Sequence, residues 1–250
     1  FNNSSPLMQH FCENVARPAS LDDVYNAFGS FAFGAQRILP LGAKPDFFSD
    51  LYLGGPNGQG VRNRYRVVYW QIKKLLESAD NGRILSIACG SAQPIIHAIY
   101  RLAQEGIKIK AVLTDADETS LALARERARQ AGVVDMISFR QIPFLKLPKI
   151  MKDEEFDIIE ACGILDYLDD RLVSFLLKFA LGDILKETGA IIVSNMAKTR
   201  AANLLRKMYN WEIIYRKPEE LGRLIEKAGG KNIKIFVEPW VIHPVATATK

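Results

Sequence analysis

Between residues 83 and 196 short apolar runs alternate with helical patterns, and this alternation restricts the fold more than any other feature of the chain. The runs cover 83–88, 109–114, 136–141, 156–161 and 190–194. Helical periodicity lies between them near 93–105, 118–131 and 170–186; in the last, Leu172, Phe175, Leu176, Phe179 and Ala180 form the apolar face. Parallel neighbours need such crossovers, so the pattern predicts an α/β fold with a parallel sheet and helices on both faces. Two further runs, 232–238 and 241–249, are separated only by Pro239 and Trp240. That is too short for a helical crossover, so they are expected to pair antiparallel.

The flanks of this region read differently. Residues 1–80 suggest a helical cap region, with Ser20 and Asp23 marking a helix start over 21–29. Gly54, Gly55, Pro56, Gly58 and Gly60 predict a loop over 51–60. An amphipathic helix should follow, with Val61, Tyr65, Val68, Tyr69, Ile72, Leu75 and Leu76 on one face. Residues 81–250 would form the main domain, carrying a helical aromatic insertion near 199–216 with Tyr209, Trp211 and Tyr215. A last helix over 219–228 would turn Leu221, Leu224, Ile225 and Ala228 inward and stop at Gly229-Gly230.

Composition removes several classes. The 250 residues are 48% apolar and 24% charged, and no stretch approaches the roughly 18 apolar residues of a membrane span. The net charge of +5 is dispersed, which does not argue for a nucleic-acid partner. Cys12, Cys89 and Cys162 are far apart, as expected for reduced thiols in a cytoplasmic setting. His10, His97 and His243 have no ligand or triad spacing, so no metal is expected and all three read as structural.

The sharpest local feature is Ile84-Leu85-Ser86-Ile87-Ala88-Cys89-Gly90-Ser91-Ala92-Gln93-Pro94, a strand, small residues, then a helix start. Small residues there let a ligand approach the backbone, and the first N–H groups of a helix can receive it. The plain alternative is an ordinary tight strand-to-helix turn. Asp115 ends the next strand, 25 residues after Gly90, where a carboxylate can accept from ribose hydroxyls. Asp117 reads more simply as a helix cap.

Taken together these elements resemble the class I S-adenosylmethionine-dependent methyltransferases, over about residues 60–250. The loop resembles that family's acidic-x-Gly-x-Gly-x-Gly motif, although Ser86 stands at the acid and Ala88 and Ala92 at two glycines, so that only Gly90 matches. Phe156-Asp157-Ile158-Ile159-Glu160-Ala161-Cys162-Gly163 resembles the fourth strand, whose end lines the transfer site, and the closing hairpin resembles the reversed last strand. The resemblance implies a Rossmann-like sheet, mostly parallel with an antiparallel last strand, behind an N-terminal helical extension. It implies S-adenosylmethionine as cofactor, held by Ser86, Ala88, Cys89, Gly90, Ala92, Asp115, Ala116, Ile142, Pro143, Ala161, Cys162 and Gly163. Ile142-Pro143 stand where the family often has an adenine-binding Asp, leaving backbone groups and apolar packing for that task. Ala88 and Ala92 preserve close approach provided neither needs a positive φ.

Gly163-Ile164-Leu165-Asp166-Tyr167-Leu168 and Trp211-Glu212-Ile213-Ile214-Tyr215-Arg216 resemble a bacterial subgroup that includes the makers of 3-hydroxy-fatty-acid methyl esters. That likeness implies a small-molecule acceptor, acidic or lipid-like. Asp166 and Tyr167 would face the methyl group as catalytic residues, with capping of the next helix as the alternative for Asp166. Arg64 and Arg216 suit forked recognition of a carboxylate on cofactor or substrate, and Trp211 and Tyr215 suit a substrate wall, though each also fits a framework role. Three other readings share the elements: an RNA methyltransferase using Arg200, Arg206, Lys207, Arg216 and Lys217, a non-catalytic nucleotide-binding protein that kept the fold, and an NAD-dependent oxidoreductase, which lacks its Gly-x-Gly-x-x-Gly here.

Overall fold

The computed structural model describes residues 56–77, 79, 81–199 and 213–250. Helix α1 (Pro56–Leu76) begins inside the stretch expected to be a loop. Proline at the first helical turn has its φ pre-set and no N–H to lose, so Pro56 starts the helix that the glycines seemed to exclude. Val61, Tyr65, Val68, Tyr69, Ile72 and Leu76 are buried as their spacing predicts, whereas Leu75 is exposed.

Seven strands follow: β1 (Gly82–Ile87), β2 (Ile109–Asp115), β3 (Ile137–Gln141), β4 (Phe156–Cys162), β5 (Leu185–Ser194), β6 (Lys231–Phe236) and β7 (Val245–Thr249). They form one sheet in the order β3-β2-β1-β4-β5-β7-β6. The first five are parallel, and β7 runs antiparallel to both β5 and β6. Helices α2 (Gln93–Gln104), α3 (Glu118–Gln130), the single turn α4 (Leu147–Ile150), α5 (Asp170–Phe179) and α6 (Pro218–Lys227) make the connections. Asp117 caps α3, accepting from the Thr119 and Ser120 N–H groups at 3.0 and 3.2 Å.

Side chains alternate across each strand and divide the interior into two cores. Ile84, Ile158 and Ile192 pack under α1 and α2; Leu85, Ile87, Ile159, Ala161, Ile191 and Val193 pack under α5 and α6. On the first face Tyr69 stacks on His97 with centroids 4.2 Å apart, and the Tyr65 hydroxyl hydrogen-bonds His97 Nδ1. Burial lowers the His97 pKa to about 4, so the ring is neutral, and its bond to Tyr65 locks α1 onto α2.

Three boundaries differ from the sequence reading. The helix expected through residue 186 ends at Phe179 in one wider turn, Ala180–Ile184, and β5 begins at Leu185. A Cβ on Gly189 would lie 2.9 Å from the Asp157 carbonyl, so only glycine lets β5 run this close to the irregular register of β4. Residues 195–199 and 213–217 have no regular secondary structure, so the described ends of the expected 199–216 helix are not helical. The closing hairpin is not tight: residues 237–244 form a loop wrapped around the buried Glu238.

Strand order reverses between β1 and β4, and in an open parallel sheet the crevice beyond the carboxyl ends at such a point is where ligands bind. No described helix is long and apolar enough to cross a membrane.

Candidate active site

The cradle begins at the end of β1. Ala88, Gly90 and Ala92 all have left-handed backbones, with φ of 54°, 53° and 51°. The condition under which the two alanines would preserve close approach, that neither needs a positive φ, is therefore not met. The loop must reverse direction within five residues, and alternate left-handed positions do this at a cost of about 1 kcal/mol for each alanine. Framework bonds hold it there: Cys89 N–H donates to the Thr114 carbonyl and Ala92 N–H to the Cys89 carbonyl, both at 2.9 Å. Ala88 is half-buried, so removing its methyl group costs little packing. Ala88→Gly is expected to stabilise the fold by up to about 1 kcal/mol, and Ala88→Val to destabilise it by more than that, as read by urea midpoints. Equal midpoints for all three proteins would show that the loop is not strained.

Asp115 is tied to this loop. Its Oδ2 accepts from Gly90 N–H at 2.9 Å and its Oδ1 from Asp117 N–H at 3.0 Å. Beside it the Ile142 N–H donates to the Asp115 carbonyl, and Gln141 Nε2 donates to the Ala116 carbonyl. Asp115, Ala116, Ile142 and Pro143 thus stand together at the ends of β2 and β3, one strand over from the cavity described next.

That cavity lies between the loop, the end of β4 and α1. The loop's Ala88, Cys89, Gly90 and Ala92 line it together with Arg64, Cys162, Gly163, Asp166 and Tyr167. All nine of these sequence candidates converge. Ala161 does not: its side chain is buried in the core on the opposite face, because neighbours on a strand alternate. Ser86 stands behind the wall, its hydroxyl donating to Glu160 Oε2 at 2.5 Å. Glu160 itself lines the cavity, and its Oε1 accepts from Cys162 N–H at 2.9 Å. A carboxyl group from β4 thus stands beside the first-strand position that Ser86 occupies. Burial pushes the Glu160 carboxyl above its ordinary value, against Ser86, the Cys162 N–H and the Arg64 charge. Burial, with Glu160 nearby, also pushes the Cys162 thiol well up and keeps it neutral.

Arg64 is buried on α1, and a Cβ on Gly163 would lie 3.7 Å from its Nη1. Asp166 sits in the turn Leu165–Tyr167, fully buried, and its Oδ1 accepts from the Met196 N–H at 2.6 Å. It does not cap α5; Asp169 does, through the Leu172 N–H at 2.8 Å. Tyr167 is exposed at the rim.

Arg216 belongs elsewhere. Its Nε and Nη2 donate to Asp170 Oδ1 at 2.9 and 2.7 Å, its Nη1 to the Leu165 carbonyl and Asn195 Oδ1 at 2.9 and 2.6 Å, and its Nη2 to the Leu168 carbonyl at 2.6 Å. Its five N–H donors are taken up by four acceptors, Asp170 Oδ1 accepting twice, so none is left to fork a substrate carboxylate. Tyr215 lies with it beside Asp170, Glu220 and Leu224, away from the cavity. Trp211 lies outside the described residues.

Sequence reasoning missed Glu160, Tyr65, Ser91, Met196 and His243, all of which line the cavity. Glu160 was within reach, since it stands two residues before Cys162 and must share its face. His243 gave no signal, because only the Glu238 loop carries it to α1.

A family model for the methyltransferase domain matches residues 78–234, well over half of the chain, and the chain belongs to that family. It is 30% identical over 135 residues to an uncharacterised protein of Synechococcus sp., a match covering 53% of this chain and 31% of that protein, so it spans about a third of that relative. Among solved structures, a possible exported protein from Bordetella parapertussis superposes with a TM-score of 0.71 at 15% identity, over 98% of this chain and 94% of that one. The magnesium protoporphyrin IX methyltransferase of Synechocystis, solved with bound S-adenosylhomocysteine, gives a TM-score of 0.62 at 13% identity, over 98% and 97%. Both likenesses are of fold.

The cofactor of this family is S-adenosylmethionine, and the groups present match its chemistry. Glu160 would serve as an acceptor for its ammonium, Arg64 as a fork for its carboxylate and Asp115 as an acceptor for its ribose hydroxyls. Among the described residues nothing lies within 4 Å of where a Cβ on Gly90 would stand, leaving the cradle open, and the buried Ser91 hydroxyl lacks a hydrogen-bond partner.

Proposed function

We propose that this domain transfers a methyl group from S-adenosylmethionine to a small-molecule acceptor. The observation that carries the reading is the convergence of Glu160, Arg64 and the left-handed 88–92 loop on one cavity, with Asp115 bonded to that loop through Gly90. When bound, the cofactor supplies an activated methyl carbon. The protein's part is then to align an acceptor with that carbon and exclude water.

Apolar and aromatic residues from α1 (Val61, Tyr65, Val68), with Ile95 and Met196, make the rest of the wall and favour a compact organic acceptor. Tyr167, exposed at the rim on the β4 side, would meet an entering acceptor, with the buried Asp166 behind it in the cavity wall. The fatty-acid reading loses its anchor in Arg216, whose donors are all engaged within the protein. The 1–80 and 81–250 division fits α1 acting as one wall of the site.

Adenosylhomocysteine at millimolar concentration is expected to raise the melting temperature. Asp115→Ala should weaken its binding by about 10- to 100-fold, the value of one or two charge-assisted hydrogen bonds. No shift in the wild-type protein sinks the proposal; an unchanged affinity in the variant removes Asp115 from the site.

A further inference from the structure

We propose that His243 is the proton acceptor of this site and that the acceptor molecule is an acidic hydroxyl, phenolic or enolic, rather than a carboxylate. The inference rests on the methyltransferase reading and adds a residue and a substrate class to it.

His243 is 3% exposed and lines the cavity, yet neither ring nitrogen has a hydrogen-bond partner among the described residues. Two orphaned nitrogens in a buried ring cost stability, on the order of 1–3 kcal/mol each, unless a ligand completes them. The fold nevertheless holds the ring there with some effort. Glu238, itself buried, gathers the loop: its Oε1 accepts from the Ile242 and His243 N–H groups, and its Oε2 from the Trp240 N–H at 2.7 Å. Val241, a β-branched residue, is forced to φ 55°. On the other side a Cβ on Gly60 would come within 3.0 Å of His243 Cδ2 and 3.3 Å of Ile242 Cβ. Glycine in a helix is normally unfavourable, and here it makes room for this loop. Trp240 Nε1 donates to Gln59 Oε1 at 3.0 Å and closes the same contact.

The ring's surroundings select the acceptor. Burial, together with the nearby Arg64 charge, keeps the imidazole neutral, so at physiological pH it is a base and not an acid. A carboxylate needs no base, since it is already ionised. A simple alcohol is too weak an acid for so weak a base. A phenol or enol is intermediate, and Tyr65 and Tyr167 offer it aromatic contact. In the step itself the acceptor oxygen forms the O–CH3 bond and the C–S+ bond breaks with its electron pair left on sulfur. The hydroxyl proton goes to a His243 nitrogen and then to solvent.

The test uses the full chain saturated with adenosylhomocysteine, 4-nitrophenol and octanoate as probes, and His243→Leu and His243→Gln as variants, read by calorimetry. Nitrophenol is expected to bind at least tenfold more tightly than octanoate and to lose at least tenfold in His243→Leu, with adenosylhomocysteine affinity within about twofold of wild type. His243→Leu should also melt at a higher temperature, because its orphaned nitrogens are gone, and His243→Gln should recover part of the nitrophenol affinity. With labelled donor, methyl transfer to catechol should fall at least 100-fold in His243→Leu. Preference for octanoate, no binding of nitrophenol to the wild type, or equal nitrophenol binding in wild type and His243→Leu overturns the inference while leaving the methyltransferase reading intact. Failure of adenosylhomocysteine to bind the wild type overturns both.

Discussion

Arg216→Met is expected to destabilise the domain by about 4 kcal/mol, measured as the fall in unfolding free energy in urea. The side chain is buried, and its loss strands the Leu165 and Leu168 carbonyls and the Asn195 amide oxygen, each costing about 1–3 kcal/mol when left without a donor. Methionine fills most of the volume, so the packing loss is the smaller part. The Asp170 partner contributes little, since its side chain is 73% exposed and such a pair is worth at most about 1 kcal/mol. Asp170→Asn should therefore cost less than about 1 kcal/mol. Equal losses for the two variants would mean that the ion pair, not the carbonyl network, holds this corner together. Because Arg216 fixes both ends of the turn carrying Asp166, Arg216→Met should also weaken adenosylhomocysteine binding.

Asp166→Asn is expected to stabilise the protein, and increasingly so as the pH rises. Burial lifts the Asp166 carboxyl from 3.8 to about 6, against the opposing pull of the Met196 N–H and the Arg64 and Arg216 charges. The folded state thus binds this proton more tightly than the unfolded state. Its favourable contribution is complete below about pH 4 and is lost as the pH rises through 6. At pH 8 the ionised carboxylate costs the fold about 3 kcal/mol, and asparagine, which can still accept from Met196, removes that cost. The difference between variant and wild type should be near zero at pH 4 and about 2–3 kcal/mol at pH 8. A difference independent of pH would show that Asp166 does not titrate in this range. A group held at such a cost beside the cavity is typical of a functional site, where strain is kept because the chemistry requires it.

Much of the sheet was legible because its signal is local. Alternating runs and helical spacing depend on which residues are apolar, and burial follows them directly, as in the face of α1 from Val61 to Leu76. Asp117 and the Gly229 stop were legible for the same reason, since caps depend on neighbours within a turn. The ends of α5 and of the hairpin were not. Gly189 marks a close approach to Asp157, 32 residues away, and Glu238 draws in N–H groups that the sequence alone would have paired in a ladder.

Of the site, the sequence determined the strand-end positions that line it, because the loop after β1 and the residues following β4 must meet wherever β1 and β4 pair in parallel. Three things only the tertiary structure decided. It set the Glu160 carboxyl beside Ser86 in the cavity wall, since parallel register places the two residues opposite one another. It took Arg216 out of the site, because four acceptors from separate segments converge on one guanidinium. It brought His243 in, because an antiparallel last strand returns its loop to the start of α1, where Gly60 leaves room for the ring. Strand pairing follows from local pattern, but which charges end up sharing one low-dielectric space depends on contacts between residues far apart in the chain, and the alternation of apolar runs carries no record of those contacts.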